Sequence, residues 1–269
     1  MGQNSKACLG YVGHALFILL VAGASAFISL PVVALIWRSI HSQAWNIPLD
    51  ERVIQAILLT FKTTAYSMVL ILLLGTPLAY ALARWKFTGK RLINVLVELP
   101  VVLPPAVAGL GLLIALGRRG LLGPTLEAYG IRLAFTQSAV ILAQTFVAMP
   151  FYVRAAQIGF QNVDPEIESA ALVDGANAFW RFMFVTFPLS RRALLAGLLM
   201  SWARALGEFG ATILFAGSLP GRTQTMTLLI YNIFEQNITA AVWTALLLIA
   251  IAAIIITLTQ FLGKTSDIH

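Results

Sequence analysis

The stretch Asn162–Pro188, NVDPEIESAALVDGANAFWRFMFVTFP, places a polar insert inside an otherwise strongly apolar chain. Of the 269 residues, 59% are hydrophobic and only 11% are charged. Soluble domains carry about a quarter charged residues, so this composition argues against a water-soluble protein and indicates an integral membrane protein. A membrane protein that keeps one long structured loop outside the lipid needs that loop to contact something, so the insert decides how the rest of the chain is interpreted.

The insert itself predicts two short helices joined by a glycine. The dipeptide Asp164-Pro165 is a helix start, because Asp caps the first turn and Pro favours its first position. The first helix is expected to run to about Val173, and Gly175 then permits the sharp turn that ends it. The second helix is expected over residues 178–186 and is expected to end at Pro188. Together they predict a compact two-helix knob.

Six further segments are long and apolar enough to cross a bilayer, which takes about 20 residues each. Backbone polar groups in lipid must be satisfied within the segment, so these segments are predicted as helices. The first one runs well beyond the apolar region of a signal peptide, and we interpret it as a retained helix rather than a cleaved signal. The six segments are Ala15–Trp37, Thr63–Ala83, Leu92–Gly117, Leu133–Val153, Ala193–Ala216 and Ile238–Leu262.

The net charge of +7 is distributed unequally about these segments. A basic excess marks the cytoplasmic side of a membrane protein, and this asymmetry favours membrane topology over nucleic-acid binding as the reason for the charge. It places both termini and the 154–192 loop in the cytoplasm. On that side lie Lys6, Arg84, Lys86, Lys90, Arg91, Arg154, Arg181, Arg191, Arg192 and Lys264, against Arg38, Arg52, Arg118, Arg119, Arg132 and Arg222 on the other. The predicted fold is an all-α integral membrane protein, with six transmembrane helices and a cytoplasmic two-helix loop, in one domain over residues 1–269.

The third segment is predicted to be broken. Pro100, Pro104 and Pro105 remove helical hydrogen bonds, and the freed carbonyls need partners or a water-filled cavity. Interrupted helices in transporters often line the substrate path, which makes Pro104 and Pro105 candidates for that path. The alternative is a kinked packing helix with small residues at a helix contact.

The fifth segment carries two charges, Arg204 and Glu208, at a spacing that puts both on one helix face. Charges within a membrane usually face the bundle interior or a cavity. One interpretation is a structural ion pair. The other is a gate or conduit for a charged substrate, to which the hydroxyl of Thr212 would add a hydrogen-bond donor.

The insert resembles the EAA loop of ATP-binding-cassette (ABC) importer permeases, whose pattern is EAA, three residues, Gly, nine residues and I-x-L-P. Ala170, Ala171, Gly175 and Pro188 match this spacing without a gap. Ser169 stands where Glu is usual, and Glu168 precedes it. The resemblance covers about residues 54–262. It implies that the loop 162–188 is a coupling helix pair that docks in a groove of a separate ATPase subunit through Glu168, Ser169, Ala170, Ala171, Gly175 and Pro188.

The string ARALGEFGAT, ending at Thr212, resembles the oxyanion branch of these permeases, and AGSLPGRTQTM, residues 216–226, is most similar to its molybdate members. The resemblance implies an importer of molybdate in the inner membrane, in which Arg204, Thr212 and Arg222 offer weak contacts to a tetrahedral anion. The implied partners are ABC ATPase subunits, a periplasmic oxyanion-binding protein, a second permease copy in a homodimer, and membrane lipid.

The implied subunit is not an enzyme, because ATP and Mg²⁺ would bind to the partner ATPase, and no cofactor or metal site is expected in this chain. The tail Gly263-Lys264-Thr265 is no P-loop, since Leu258 stands where that motif needs Gly.

Three alternatives remain open. The first is a sulfate, thiosulfate or tungstate permease of the same family. The second is a secondary transporter driven by an ion gradient, for which Glu208 or Glu98 would be the coupling acid. The third is a polytopic membrane enzyme, which the scattered histidines His14, His41 and His269 do not favour.

Overall fold

The computed structural model describes the backbone of residues 2–48 and 50–264 and the side chains of residue 14, residues 16–48 and residues 50–257. The described residues form helices and turns and contain no β-strand. Lys6, Lys264 and His269, which entered the topology and histidine arguments, lie outside the described side chains. The helices are α1 (Gly2–His41), α2 (Glu51–Arg84), α3 (Lys90–Val102), α4 (Pro105–Leu116), α5 (Gly123–Ala128), α6 (Gln137–Gln161), α7 (Pro165–Val173), α8 (Ala178–Arg181), α9 (Phe187–Leu206), α10 (Gly210–Phe215), α11 (Met226–Phe234) and α12 (Ile238–Lys264).

The prediction of an all-α membrane protein is confirmed. Among the described residues, five helical stretches are long and apolar enough to span a membrane, and α3 with α4 adds a sixth if that bent pair counts as one span. The six-span count therefore stays a prediction. The five stretches are Leu16–His41, Glu51–Arg84, Gln137–Gln161, Ala178–Leu206 and Ile238–Thr257.

Helix α2 begins twelve residues before the predicted segment at Thr63, at Glu51. The backbone N–H of Arg52 donates to the side chain of Asp50, which caps the first turn. The side-chain amide of Gln55 donates a hydrogen bond to the carboxylate of Glu51, one turn earlier in the helix. Hydropathy detects only the apolar part of a helix, whereas caps and polar side-chain pairs extend it beyond the lipid.

The predicted break in the third segment is confirmed, and it is much sharper than a kink. Helix α3 ends at Val102, α4 starts at Pro105, and the two axes are bent by 117°. Pro104 has no N–H to continue the ladder, and Pro105 then occupies the first turn of the new helix, where a missing N–H costs nothing.

The fifth segment was predicted as one continuous helix over Ala193–Ala216, and that prediction is wrong. Helix α9 ends at Leu206, residues 207–209 are non-helical, and α10 runs from Gly210 to Phe215. The interruption has a local cause, because the carboxylate of Glu208 accepts the backbone N–H of Ala211 at 2.7 Å and so begins a new helix. The apolar composition of the segment hides this capping interaction.

Residues 217–237, which the predicted spans leave as an exterior connection between the fifth and sixth segments, do not form a simple loop. The run contains helix α11, in which Met226, Leu228 and Leu229 are buried. The backbone N–H of Met226 donates to the hydroxyl of Thr60 in α2 at 2.9 Å, which ties this run to the helical body. The threonine-rich sequence before α11 resembles a solvated loop, but its polar groups are buried and hydrogen-bonded.

The contacts divide the chain into two compact units. One contains the residues up to Pro48 with Asn232–Ile251, and the other contains the intervening residues with the end of the chain. In the first unit, most of the spanning part of α1 is exposed within this chain, although Ser39 near its end is buried, and such exposure is expected of a helix that faces lipid. The prediction of one domain over residues 1–269 stays a prediction.

Helix α6 forms the centre of the second unit and packs between α2 and α9. Glycines make these contacts close. A β-carbon on Gly197 of α9 would lie 2.6 Å from Cβ of Ala155, and one on Gly75 of α2 would lie 2.9 Å from the ring of Tyr152. Small residues let helix backbones approach in lipid, where the hydrophobic effect does not hold helices together.

We expect Gly197→Val to destabilise the protein by about 1–3 kcal/mol, because added methyl groups would overlap α6 and force the two helices apart. Thermal unfolding in detergent measures the effect. The matched control is Gly23→Val in α1, where nothing lies within 4 Å of the added carbon. Equal melting temperatures for the two variants would contradict the packing argument.

Candidate functional site

The polar insert forms the predicted knob, which we define as residues 164–181. Asp164 accepts the backbone N–H of Glu166 at 2.9 Å and starts α7, and Asn177 accepts the N–H of Trp180 at 2.9 Å and starts α8. Between them Gly175 adopts a φ of +87°, a left-handed conformation that disfavours every side chain. The start, the end and the glycine turn of α7 thus agree with the sequence prediction.

The expected end of the second helix at Pro188 is wrong. Helix α8 continues through a π-helical turn, Phe182–Thr186, directly into α9. Within that turn the N–H of Phe187 donates to the carbonyl of Phe182, five residues earlier. Pro188 follows this turn directly, in the first turn of α9, where its missing N–H disrupts the hydrogen-bond ladder least. The knob and α9 therefore form one continuous helical run.

Glu168 joins the knob to the helical body through a buried carboxylate. Its Oε1 lies 3.0 Å from Nη2 of Arg84, the last residue of α2, and accepts the hydroxyl of Thr186 at 2.6 Å. The same Arg84 Nη2 donates to the carbonyl of Val163 at 2.9 Å. These contacts, which we call the Glu168 clasp, fix α7 against α2 and the π-helical turn.

Ser169, which replaces the usual Glu, is exposed and donates its hydroxyl to the carbonyl of Pro165 within α7, at 2.7 Å. The carboxylate that the motif usually has at position 169 is thus supplied by Glu168, one position earlier, and it points towards the helical body. No local pattern in the sequence pairs Glu168 with Arg84 or Thr186. The only available signal was a charged residue beside the motif together with an arginine at the end of a span.

The outer surface of the knob and of the π-helical turn that follows it carries large exposed side chains. Val173, Phe179, Trp180 and Phe184 are all at least half exposed, and the rings of Trp180 and Phe184 stack with their centroids 5.0 Å apart. Ala170 is exposed and Ala171 half-buried, so neither obstructs an approaching surface. Large apolar side chains exposed together on a mostly polar element are typical of surfaces that contact a protein or a membrane.

The second group of candidates surrounds the interruption between α9 and α10. Arg204 Nη1 lies 2.8 Å from Oε2 of Glu208, so the predicted pair forms, with the carboxylate buried and the guanidinium partly exposed. Glu208 also caps α10, and its own carbonyl accepts the hydroxyl of Thr227 at 2.8 Å. Thr212 is fully buried. Most of the hydrogen-bonding groups of Glu208 are therefore used to stabilise the interruption between α9 and α10.

The two interrupted segments meet at their breaks. A β-carbon on Gly109 of α4 would lie 2.6 Å from the carbonyl oxygen of Ala211, and one on Gly210 would lie 2.6 Å from Cβ of Pro105. The structure thus brings Pro105 next to α10. The knob residues lie on α7 and α8 and are not part of this junction. Where α3 turns into α4 it leaves a cavity of about 390 Å³ against α6, with an apolar lining.

No group of three His, Cys, Asp or Glu side chains among the described residues is arranged to hold a metal ion. Of the three histidines whose scatter argued against a membrane enzyme, His14 and His41 both belong to α1, and His269 lies outside the described part of the chain.

Comparisons with known proteins agree with this architecture. The chain is 41% identical over 233 residues to the molybdenum transport system permease protein ModB of Mycobacterium tuberculosis, covering 86% of this chain and 87% of that protein. It is 37% identical to the sulfate transport system permease protein CysW of Synechococcus elongatus, covering 82% of this chain and 79% of the relative. A bacterial ABC transporter involved in import of the acidic polysaccharide alginate shares the fold, with a TM-score of 0.74 over 97% of this chain and 98% of that chain, at 15% identity.

Residues 72–267 match the family described as binding-protein-dependent transport system inner membrane component. The match extends over more than half of the chain, and the solved structures with the same fold are ABC importer permeases. The chain therefore belongs to the family of inner membrane components of binding-protein-dependent transport systems.

Proposed function

We propose that this chain is the permease subunit of an ATP-driven importer that moves a tetrahedral oxyanion, molybdate, across the inner membrane. Family membership makes it a transport component rather than an enzyme. The observation that carries the substrate is the 41% identity to a molybdenum permease over most of both chains. The knob, with its exposed aromatic surface and its buried clasp, supports a chain driven by a separate ATPase.

In this proposal the knob is the site where ATP hydrolysis acts on the membrane helices. The exposed side chains of Val173, Phe179 and Trp180 dock in a groove of the ATPase, and Ala170 and Ala171 allow close approach. The Glu168 clasp then transmits the movement of the knob to α2. ATP and Mg²⁺ bind to the ATPase subunit and not to this chain.

Gly175→Val is expected to release the ATPase while the permease still inserts in the membrane. A β-branched residue resists a φ of +87°, so the turn between α7 and α8 would rearrange. Co-purification of the ATPase and anion uptake measure the effect, and Gly175→Asn should restore part of both because Asn tolerates this conformation.

The matched control for that experiment is Gly130→Val. Gly130 also has a positive φ, of +72°, with open space around it, but it lies in the loop after α5. It should leave ATPase binding intact. Full co-purification and uptake with Gly175→Val would exclude the knob as the coupling element.

We further propose that the junction of α4 and α10 borders the anion path, with Pro104, Pro105, Arg204, Glu208 and Thr212 around it. Arg204 supplies mild positive potential there, and Glu208 keeps it in place. A strong site would retain the anion, so weak contacts suit a conduit, and high affinity then belongs to the binding protein.

Exchange of the two charges, Arg204→Glu with Glu208→Arg, is expected to fail to restore transport, because Arg has no acceptor for the N–H of Ala211. Glu208→Gln keeps an acceptor oxygen and should retain more folded protein than Glu208→Ala, which leaves both the cap and Arg204 without a partner. Thermal unfolding compares the two variants. If Gln and Ala destabilise equally, the capping role of Glu208 is refuted.

Two permease copies, two ATPase subunits and a periplasmic oxyanion-binding protein complete the proposed importer. Both termini and the knob lie in the cytoplasm, as the basic loop 84–91 favours. A closing ATPase dimer would move the two knobs together and open the helices towards the outside, so that the anion enters from its binding protein.

The substrate test uses the assembled complex in liposomes, with binding proteins loaded with molybdate, tungstate or sulfate. Molybdate-loaded protein should stimulate ATP hydrolysis most, and tungstate should follow closely because its size and charge are nearly the same. Sulfate is the second candidate, because the chain is also 37% identical to a sulfate permease. Stimulation by the sulfate-loaded protein alone would refute molybdate and leave the importer intact.

A further inference from the structure

A third ion pair, between Glu98 of α3 and Arg154 of α6, has no role in the arguments above. Arg154 is held by further acceptors, since its Nη1 donates to Oε1 of Gln157 at 2.9 Å and to Oδ1 of Asn94 at 3.2 Å. The pair borders an open cavity of about 490 Å³ between α3, α6 and α9. The other lining residues are Val101, Val102, Pro150, Phe151, Ala155, Ile158 and Met200.

The exposure of this pair distinguishes it from the pairs that hold helices together. The side chains of Glu98 and Arg154 are 52% and 37% exposed. The Arg84–Glu168 pair, by comparison, is 17% and 11% exposed. An exposed pair contributes little to stability, so helix packing alone does not account for these charges.

The surroundings of the pair are apolar and exposed as well. Val101, Val102 and Met200 project from α3 and α9 beside the cavity, and each is more than half exposed in the single chain. Charges in such a setting are costly if the surface faces lipid. We therefore expect this surface to face water or protein.

The position along the helices supports the same conclusion. Glu98 lies eight residues after Lys90, where α3 begins beside the basic loop, and Arg154 lies seven residues before Gln161, where α6 ends. At about 1.5 Å per residue, both charges are roughly 10–12 Å from the cytoplasmic ends of their helices. In the proposed orientation, both charges are therefore about two helical turns inside the end of the bundle that carries the knob.

We propose that Arg154 is an inner contact for the passing anion and that Glu98 is a tethered competitor for the same guanidinium. The proposal rests on the proposed function as an oxyanion importer. A carboxylate presents two oxygens to a guanidinium much as one edge of a tetrahedral oxyanion does. Glu98 is paired with Arg154 between transport events. An arriving anion takes the place of Glu98, and Glu98 then displaces the anion towards the cytoplasm.

The competitor explains how an arginine can lie on the path without trapping a doubly charged anion. Each contact between Arg154 and the anion replaces a contact with Glu98, so the net affinity stays low and release remains fast. Conduction requires sites that are favourable enough to enter and weak enough to leave.

The test is Glu98→Gln in the complex with its ATPase subunits. The amide keeps the size of the side chain and removes the competing charge. We expect the complex, without binding protein, to retain molybdate with an affinity raised about tenfold, the change that one charge-assisted hydrogen bond represents. Equilibrium dialysis with molybdenum analysis measures retention. In liposomes, the amount of anion transported per ATP hydrolysed should fall.

Two further variants separate this mechanism from a general gain of positive charge. Glu98→Gln combined with Arg154→Gln should return retention to the parental level, since the retaining group is then gone. Asp50→Asn frees the exposed Arg52 from its carboxylate and keeps a good helix cap, so it should retain no extra anion. Parental retention in Glu98→Gln, or unchanged retention when Arg154→Gln is added, would overturn the proposal.

If Glu98→Gln does not assemble, Glu98→Asp is the second variant, because its carboxylate is one methylene shorter and holds Arg154 less closely. It should give intermediate retention, and parental retention would again refute the competitor. The unmodified complex separates this result from a failure of the proposed function. If that complex transports sulfate instead of molybdate, the substrate is wrong and the same dialysis is run with sulfate.

Discussion

The buried carboxylate of Glu208 holds together the part of the structure on which the rest depends. A broken helix in lipid exposes backbone groups that no water satisfies, so each break needs its own partners. Glu208 supplies them at the second break, where it accepts the N–H of Ala211, pairs with Arg204 and offers its carbonyl to Thr227. With this break stabilised, α10 can lie against α4, and the two interrupted segments form one junction. A permease that changes conformation gains a defined place to bend without losing hydrogen bonds.

The Glu168 clasp provides a second rigid attachment, at the end of the bundle that carries the knob. The knob presents large exposed side chains and is at the same time firmly joined to the helical body. Here Glu168 of α7 provides the attachment, and the exposed aromatic side chains lie on α8 and the π-helical turn. Arg84 contributes to two attachments at once, since it contacts both Glu168 and the carbonyl of Val163. One arginine therefore joins the end of α2 both to the knob and to the chain that leads into the knob.

Local chemistry made some features of this fold predictable from sequence. Asp164-Pro165 and Gly175 set the limits of α7 because capping and a positive φ depend on residues within one turn. The break at Pro104 was predictable for the same reason, since a missing N–H acts locally. The interruption after Leu206 was not predictable, because it depends on a side-chain cap and on a threonine nineteen residues away. The clasp partner Arg84 was likewise beyond local patterns, and the prediction assigned that residue only to membrane topology.

The ion pairs also show how burial separates the roles of similar residues. The same two residue types occur at the clasp, at the second break and beside the open cavity, but with different exposure. Sequence placed all of them in or beside apolar segments and gave no means of ranking them. Solvent access determines which arginine can meet an anion and which one is committed to packing.

The π-helical turn at Phe182–Thr186 has a mechanical consequence. Because it carries α8 into α9 without interruption, residues 178–206 form one run of 29 residues, about 43 Å long at 1.5 Å per residue. Such a run acts as a lever, and a tilt of about 10° around one end displaces the other end by roughly 7 Å. A small rotation imposed at the α8 end of this run is therefore enlarged at Arg204, near its other end.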